Sequence, residues 1–245
     1  MIQLSELRAK AVIFDLYGTL IDLFSCQDEQ KQLSKIAAAL QVPAEQFARL
    51  WTDTYTERVT SAFPDVESYL LSVCRRLQIV PCESGVNAAI ELVDEFTRRL
   101  MIPRPDAETA LRSLRQAGLK LALLTNCWYE APAHWNKTSL ARLMDAAVFS
   151  FEVKAKKPDA IVYLLTCERL DVQPSDCVFV GDGANHELEA AEALRMTAIM
   201  IRTPEDNLYN PRRTASDDWP GLRISHLSEV FDIAIGWRTE ESQPL

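Results

Sequence analysis

AVIFDLYGTLID, residues 11–22, is the stretch that decides the fold. Four apolar residues, Ala11-Val12-Ile13-Phe14, run without a break into one acid, Asp15. A short run that is apolar on both faces suits a strand buried in a parallel sheet. Gly18 then allows a tight turn, and Thr19 and a second acid, Asp22, follow. In open α/β sheets ligands bind at the carboxyl ends of the strands, which is where Asp15 falls. A carboxylate there can attack an electrophile and form a covalent ester or acyl phosphate. For an isolated Asp, capping a turn is the plainer role. Thr19 is placed to hydrogen-bond Asp15 or a substrate oxygen, or only to hold the turn.

Working outward, three more apolar runs repeat the pattern, at 119–124, 177–180 and 198–201, with a weaker one at 147–149. Helical patterns lie between them: 106–116 ending at Gly118, 158–169 opening with Pro158, and 187–194. A last short helix is expected at 227–235. Strand alternating with helix predicts an α/β fold with a Rossmann-like, doubly wound parallel sheet. Residues 24–100 break that rhythm. They hold no convincing strand and read as amphipathic helices near 26–41, 44–60, 65–78 and 84–100, interrupted around Pro43, Pro64 and Pro81. An all-helical block after the first strand predicts an inserted cap over 23–100, on a core of 1–22 and 101–245. The polar stretch 203–221, with three prolines, is expected to be loop.

Composition narrows the function classes. The chain has 245 residues, 48% of them hydrophobic, which suffices for one large domain with an insertion. A net charge of −9 argues against nucleic acid or an anionic membrane as partner, and leaves room for a small anionic substrate in a locally positive site. No uncharged apolar run is long enough for a membrane span, and the N-terminus lacks the apolar core of a signal peptide. The six cysteines form no Cys-x-x-Cys pair, so reduced thiols in a cytoplasm are expected. A homodimer is compatible with the sequence, which says nothing further about assembly.

Three other motifs fall at the same sheet edge as Asp15. Thr125-Asn126 ends the run LKLALLT, where a hydroxyl and an amide can hold phosphoryl or carboxylate oxygens; an N-cap pair is the alternative. Lys157, before Pro158, can keep Asp15 ionised and offset charge on a transferring group; otherwise it is one of three solvated lysines. Gly181-Asp182 ends the run CVFV, with Gly183 next and Glu187 five residues after Asp182. With Asp15 these carboxylates make a hard oxygen site suited to Mg²⁺, and three of them together would repel without a cation. Capping and a helix-dipole contact are the alternative. Convergence of all four motifs is far more specific than any one.

The set "FDLYGTLID", "LLTN", "KPDAIVY" and "VFVGDGANHELEAA", in this order, resembles the haloacid dehalogenase superfamily, and the helical insertion lies where its C1 caps lie. The resemblance implies Asp15 as nucleophile and Thr125 and Lys157 as holders of the phosphoryl group or substrate. It also implies Mg²⁺ bound by Asp15, Asp182, a backbone carbonyl near Tyr17, and Glu187 through water. Most of the superfamily are phosphatases whose general acid is an Asp two residues after the nucleophile; here that residue is Tyr17. The superfamily's L-2-haloacid dehalogenases carry Tyr there, and Tyr163 fits their Lys-Pro…Tyr pattern. They differ in a Ser-Ser-Asn run where this chain has Gly181-Asp182-Gly183, and in an Arg after a Leu-Trp pair, where Leu50-Trp51 is followed by Thr52. Arg49 and Arg58 lie at other helical angles; Arg58 is a candidate to face the site, with a solvated surface position as the favoured reading.

The expectation is therefore a Mg²⁺-dependent phosphatase of a small phosphorylated metabolite, acting through an aspartyl phosphate with an atypical acid. Tyr17, with an ordinary pKa of ~10, can donate a proton but is slow to take one back; His186, His134 and Glu130 are other candidate donors, each read more plainly as a surface residue. A dehalogenase-type hydrolase and a weakly catalytic scaffold that binds a metabolite or partner are the alternatives. Trp51, Tyr55 and Phe63 are candidate pocket residues whose helical spacing equally suits core.

Overall fold

Strands that are apolar on both faces need cover on both faces, and they have it. The structure is a computed structural model and describes residues 9–23, 25–203 and 219–236. Six parallel strands are β1 (Ala11–Phe14), β2 (Lys120–Thr125), β3 (Ala146–Phe149), β4 (Cys177–Gly181), β5 (Thr197–Ile201) and β6 (Leu222–Ile224), in the order β3-β2-β1-β4-β5-β6. The first five helices among the described residues are α1 (Cys26–Ala39), α2 (Ala44–Asp53), α3 (Tyr55–Val59), α4 (Val66–Arg76) and α5 (Glu83–Leu100). The others are α6 (Ala107–Gln116), α7 (Ala131–Trp135), α8 (Ser150–Val153), α9 (Ala160–Leu170), α10 (Glu187–Ala193) and α11 (Glu229–Ile235).

Alternation along β1 splits the core in two. Val12 and Phe14 pack with Leu111 and Leu114 of α6, Trp135 of α7 and Val230 of α11. Ala11 and Ile13 pack with Val162 and Tyr163 of α9 and Leu188 of α10. The register sets the site. Phe14 lies opposite Leu123 of β2 on one side and Val180 of β4 on the other. One step along, Asp15 is therefore level with Leu124 of β2 and Gly181 of β4, and Thr125 and Asp182 come next.

Helices α1 to α5 build a separate hydrophobic cluster around Ile36, Phe47, Trp51, Tyr69, Leu70 and Val73. Ser25 and Asp65 cap α1 and α4, their side chains accepting the amides of Asp28 and Ser68 at 3.1 and 2.7 Å. The single helix expected over 44–60 is two. Thr54 breaks it: its hydroxyl bonds back to the Leu50 carbonyl at 2.5 Å, and its backbone leaves the helical region at ψ 14°. The strand β6 was not foreseen, because three residues are too few for a periodic signal. Of the expected loop at 203–221, residues 204–218 lie outside the described residues. Among the described residues no helix is long and apolar enough to cross a membrane.

Candidate active site

Each predicted motif ends at the carboxyl edge of the sheet. Asp15 leaves β1 with its amide bonded to the Val180 carbonyl of β4 at 2.9 Å, and it is buried. Gly18, at φ 80°, turns the chain back so that the Thr19 hydroxyl reaches Asp15 Oδ2 at 3.2 Å. Lys157 Nζ bonds Asp15 Oδ1 and, at 2.5 Å, Glu187 Oε2. Asp15, Asp182 and Glu187 are all buried, and one oxygen of each lies within 4.8 Å of the others. Glu187 is held by the Gly183 amide at 2.9 Å, and Asp182 accepts the Ala184 amide at 2.9 Å. Gly181 has a steric reason to lack a side chain: a Cβ there would run into the Glu187 carboxylate. Tyr163 of α9 braces the same turn from below, donating to the Glu187 carbonyl at 2.9 Å.

Asn126 makes a different contact from the one its motif suggested. Its amide oxygen accepts the Lys157 amide at 2.8 Å and its nitrogen donates to the Lys157 carbonyl at 3.0 Å. It thus clamps the lysine's main chain while lining the cavity. Thr125 is fully buried and its hydroxyl has no hydrogen-bond partner among the described residues. A donor so placed at a strand end is suited to a ligand oxygen.

Burial pushes the Asp15 carboxyl up, Lys157 pulls it back down, and Asp182 pushes it up again, leaving it raised. Burial presses on Lys157 the other way, but attraction from Asp15 and Glu187 prevails and keeps the ammonium protonated. Glu187 is pushed up to about 8, first by burial and then by Asp15 and Asp182 against the pull of Lys157. Asp15 and Glu187 thus share one ammonium, with the Asp182 carboxylate close by. The donor set is all oxygen and buried, which fits a small hard divalent cation.

Tyr17 faces the same cavity, and burial, followed by Cys127, Glu130 and Asp15, holds its phenol well above the ordinary value. It stays protonated at neutral pH and cannot act as a base. Of the other candidate donors, none lines this cavity. His186 is exposed, its Nδ1 3.4 Å from Glu189. His134 is buried against Asp94 at 2.7 Å. Glu130 is buried with neither carboxylate oxygen bonded among the described residues.

Helices α2, α3 and α5 cover this edge and complete the cavity with Trp51, Tyr55, Arg58, Val59, Val93, Phe96 and Leu100. Phe63 stays in the packing of the cap, 5.2 Å from the Tyr69 ring. The expectation of a solvated Arg58 is corrected: only 3% of it is exposed, and its guanidinium lies 4.0 Å over the Trp51 ring. Tertiary contact, which local spacing does not encode, buries it. Two further residues carry no motif. Arg104, at the return from cap to core, donates to the Gly18 carbonyl at 2.9 Å and pairs with Asp22 at 3.1 Å, pinning the turn after Asp15. Trp128, on the loop after β2, lines the cavity and packs against the cluster of the cap.

A family model described as haloacid dehalogenase-like hydrolase matches residues 9–195. The chain is 26% identical over 235 residues to a glyceraldehyde 3-phosphate phosphatase of Methanopyrus kandleri, covering 91% of this chain and 96% of the relative. It is also 26% identical over 224 residues to (S)-2-haloacid dehalogenase 4A of Burkholderia cepacia, covering 87% and 94%. In fold it is similar to the crystal structure of an HAD phosphatase from Thermococcus onnurineus, with a TM-score of 0.63 at 22% identity over 94% of this chain and all of that one. The strand-end motifs, the helical cap and these relatives converge: the chain belongs to the haloacid dehalogenase-like hydrolases, and it is a hydrolase.

Proposed function

We propose that this hydrolase is a Mg²⁺-dependent phosphatase of small phosphorylated metabolites, with residues 23–100 as its cap domain on a core of 1–22 and 101–245. The observation that carries the reading is the buried group of Asp15, Asp182 and Glu187, whose oxygens approach within 4.8 Å. Asp15, Asp182, Glu187 and the Tyr17 carbonyl would hold Mg²⁺, which when bound supplies charge neutralisation and orients the transferring phosphoryl group. Asp15 attacks phosphorus through its carboxylate and forms an aspartyl phosphate as the P–O bond to the leaving group breaks. Lys157 keeps Asp15 in place and offsets charge on the phosphoryl oxygens; Thr125 offers its free hydroxyl to one of them. Thr19 steers Asp15, and Asn126 holds Lys157 by its main chain. Water then hydrolyses the acyl phosphate and restores Asp15. A cytoplasmic location agrees with the reduced thiols expected from the cysteine pattern.

Tyr17 favours a second reading, C–halogen cleavage of a 2-haloacid through an aspartyl ester, because halide leaves without a proton. A panel of phosphate esters and 2-haloacids, each with Mg²⁺ and with EDTA, separates the two. Phosphate release that EDTA abolishes is the expected result. Halide release that EDTA leaves intact would replace the phosphatase reading by the dehalogenase one.

A further inference from the structure

All six cysteines are free thiols, and two of them meet. Cys167 Sγ lies 3.8 Å from Cys177 Sγ, across ten residues of sequence. The two come from different elements. Cys167 is on the buried face of α9 with Val162, Tyr163 and Thr166, and Cys177 opens β4. Both belong to the hydrophobic cluster on that side of the sheet. A free cysteine packs like a small apolar residue, so contact alone is a feature of the core. Two further observations go beyond packing.

Hydrogen bonding makes the two sulfurs unequal. Cys177 has one S–H proton and two acceptors, the Gln173 carbonyl at 3.4 Å and Cys167 Sγ. Donation to Cys167 holds that thiol below its ordinary range, and the same bond, with burial, raises Cys177. The thiolate is the reacting form, so Cys167 is the sulfur that reacts first and Cys177 the one that follows. The pair also lies just beneath the surface. Asp171, Gln173 and Ser175, in the link from α9 to β4, are exposed, and Cys177 Sγ touches the main chain of that link.

We infer that Cys167 and Cys177 form a reversible disulfide in response to hydrogen peroxide, a staple between α9 and the start of β4. Peroxide is little larger than water and enters through local opening of the exposed link; the sulfurs themselves are 2% and 1% exposed, which shuts out bulkier oxidants. The Cys167 thiolate attacks one peroxide oxygen, and the O–O bond breaks to leave a sulfenic acid and hydroxide. That hydroxide takes the S–H proton of Cys177 and becomes water. The Cys177 sulfur attacks the sulfenic sulfur; the S–S bond forms as the S–O bond breaks. The second hydroxide takes up the proton that Cys167 lost on ionising. Two thiols and one peroxide thus give one disulfide and two waters. The sulfurs must close about 2 Å to bond. A thiol reductant reverses the step, as suits a transient redox sensor in a reducing cytoplasm. The pair is remote from the chemistry at Asp15, about 15 Å from Lys157 through α9 and about 16 Å from Asp182 along β4. The staple therefore steadies the core from the edge of the sheet opposite the site.

The test treats the reduced, full-length protein with hydrogen peroxide, quenches in acid, alkylates, and digests without reductant. A peptide pair joined through Cys167 and Cys177 is expected, with both thiols lost together and both regained in dithiothreitol. Cys82 is exposed and serves as the internal gauge. If peroxide has oxidised Cys82 and no joined pair has formed, the inference falls. It falls equally if either sulfur is found joined to another cysteine instead.

Cys177→Ser tests the order of events, since serine keeps a donor for Cys167 and removes the second sulfur. Cys167 should then stop at the sulfenic acid and take up dimedone when the treated protein is unfolded in it, whereas wild-type Cys167 should not. An unlabelled Cys167 in this variant overturns the inference; should the variant not fold, the wild-type peptide map decides alone. Thermal unfolding reads the staple. The oxidised wild type should melt about 3–10 °C above the reduced protein, from the entropy removed by closing a short loop. A joined pair with an unchanged or lowered midpoint overturns the staple.

Discussion

The two walls of the cavity are built by opposite means. On the core wall, Asp15, Thr125 and Asp182 stand at strand ends, and the parallel register brings them level before any side chain is considered. On the cap wall, Trp51 and Arg58 occupy successive short helices and are brought together by rings and by bonds to side chains from elsewhere. The first wall is rigid because backbone ladders hold it. The second depends on packing, so it can differ between relatives that share the first. That contrast fits a family in which similar identity links this chain to a phosphatase and to a dehalogenase.

The largest expected effect breaks the core wall. Asp15→Asn should lower turnover at least about 10³-fold, roughly 4 kcal/mol of barrier, with the thermal unfolding curve retained. Activity within about tenfold of wild type would remove Asp15 as nucleophile. Asp182→Ala should cost about 10²–10³-fold, the scale of losing one electrostatic stabiliser, and weaken Mg²⁺ binding measured by calorimetry. Full phosphatase activity in EDTA would sink the metal site.

Tyr17 tests the meeting of the two walls. Its phenol is held protonated, and neither His134, His186 nor Glu130 lines the cavity. Aryl and acyl phosphates, whose leaving groups need little help, should therefore be cleaved well and alkyl phosphates poorly. Tyr17→Asp should raise alkyl-phosphate turnover by about 10²-fold, the lower end of what a positioned acid contributes. Equal wild-type rates on aryl and alkyl esters would mean that a donor is already present, and Tyr17→Phe would identify or clear Tyr17.

The smallest effect concerns stability. Burial, opposed by its own backbone and aided by Asp94, pushes Glu130 up to about 7. A carboxyl raised in the folded state holds a proton there that the unfolded chain has lost. Its stabilising share is complete below the ordinary carboxylate value and declines as pH rises through about 7. Glu130→Gln should accordingly be more stable than wild type by about 1–3 kcal/mol at pH 8, with the difference shrinking toward pH 4. Denaturant titrations at the two pH values measure it; a difference independent of pH would show that Glu130 does not titrate in this range.

Much of the core wall was legible because strand ends and glycine turns are local signals. The run 11–14 matched β1 residue for residue, and the other expected strands differed from β2 to β5 by no more than one residue at either end. Asn126 was legible as a site residue, but not as a clamp on Lys157, since that contact joins residues 31 apart. Arg58 misled because its helical angle, read alone, points to solvent; Trp51, Tyr69 and Trp128 come from three separate segments to enclose it. Arg104 offered no signal, as its partners Gly18 and Asp22 lie more than eighty residues earlier in the chain.

Trp128 has one more consequence. The chain has five tryptophans, and two of them, Trp51 of the cap and Trp128 of the core loop, meet at 5.4 Å with planes at 79°. Any opening of the cap that parts these rings changes the surroundings of both indoles at once. The protein therefore carries an intrinsic optical gauge of its own closure, readable by fluorescence in stopped flow, with no label added and no need to wait for product.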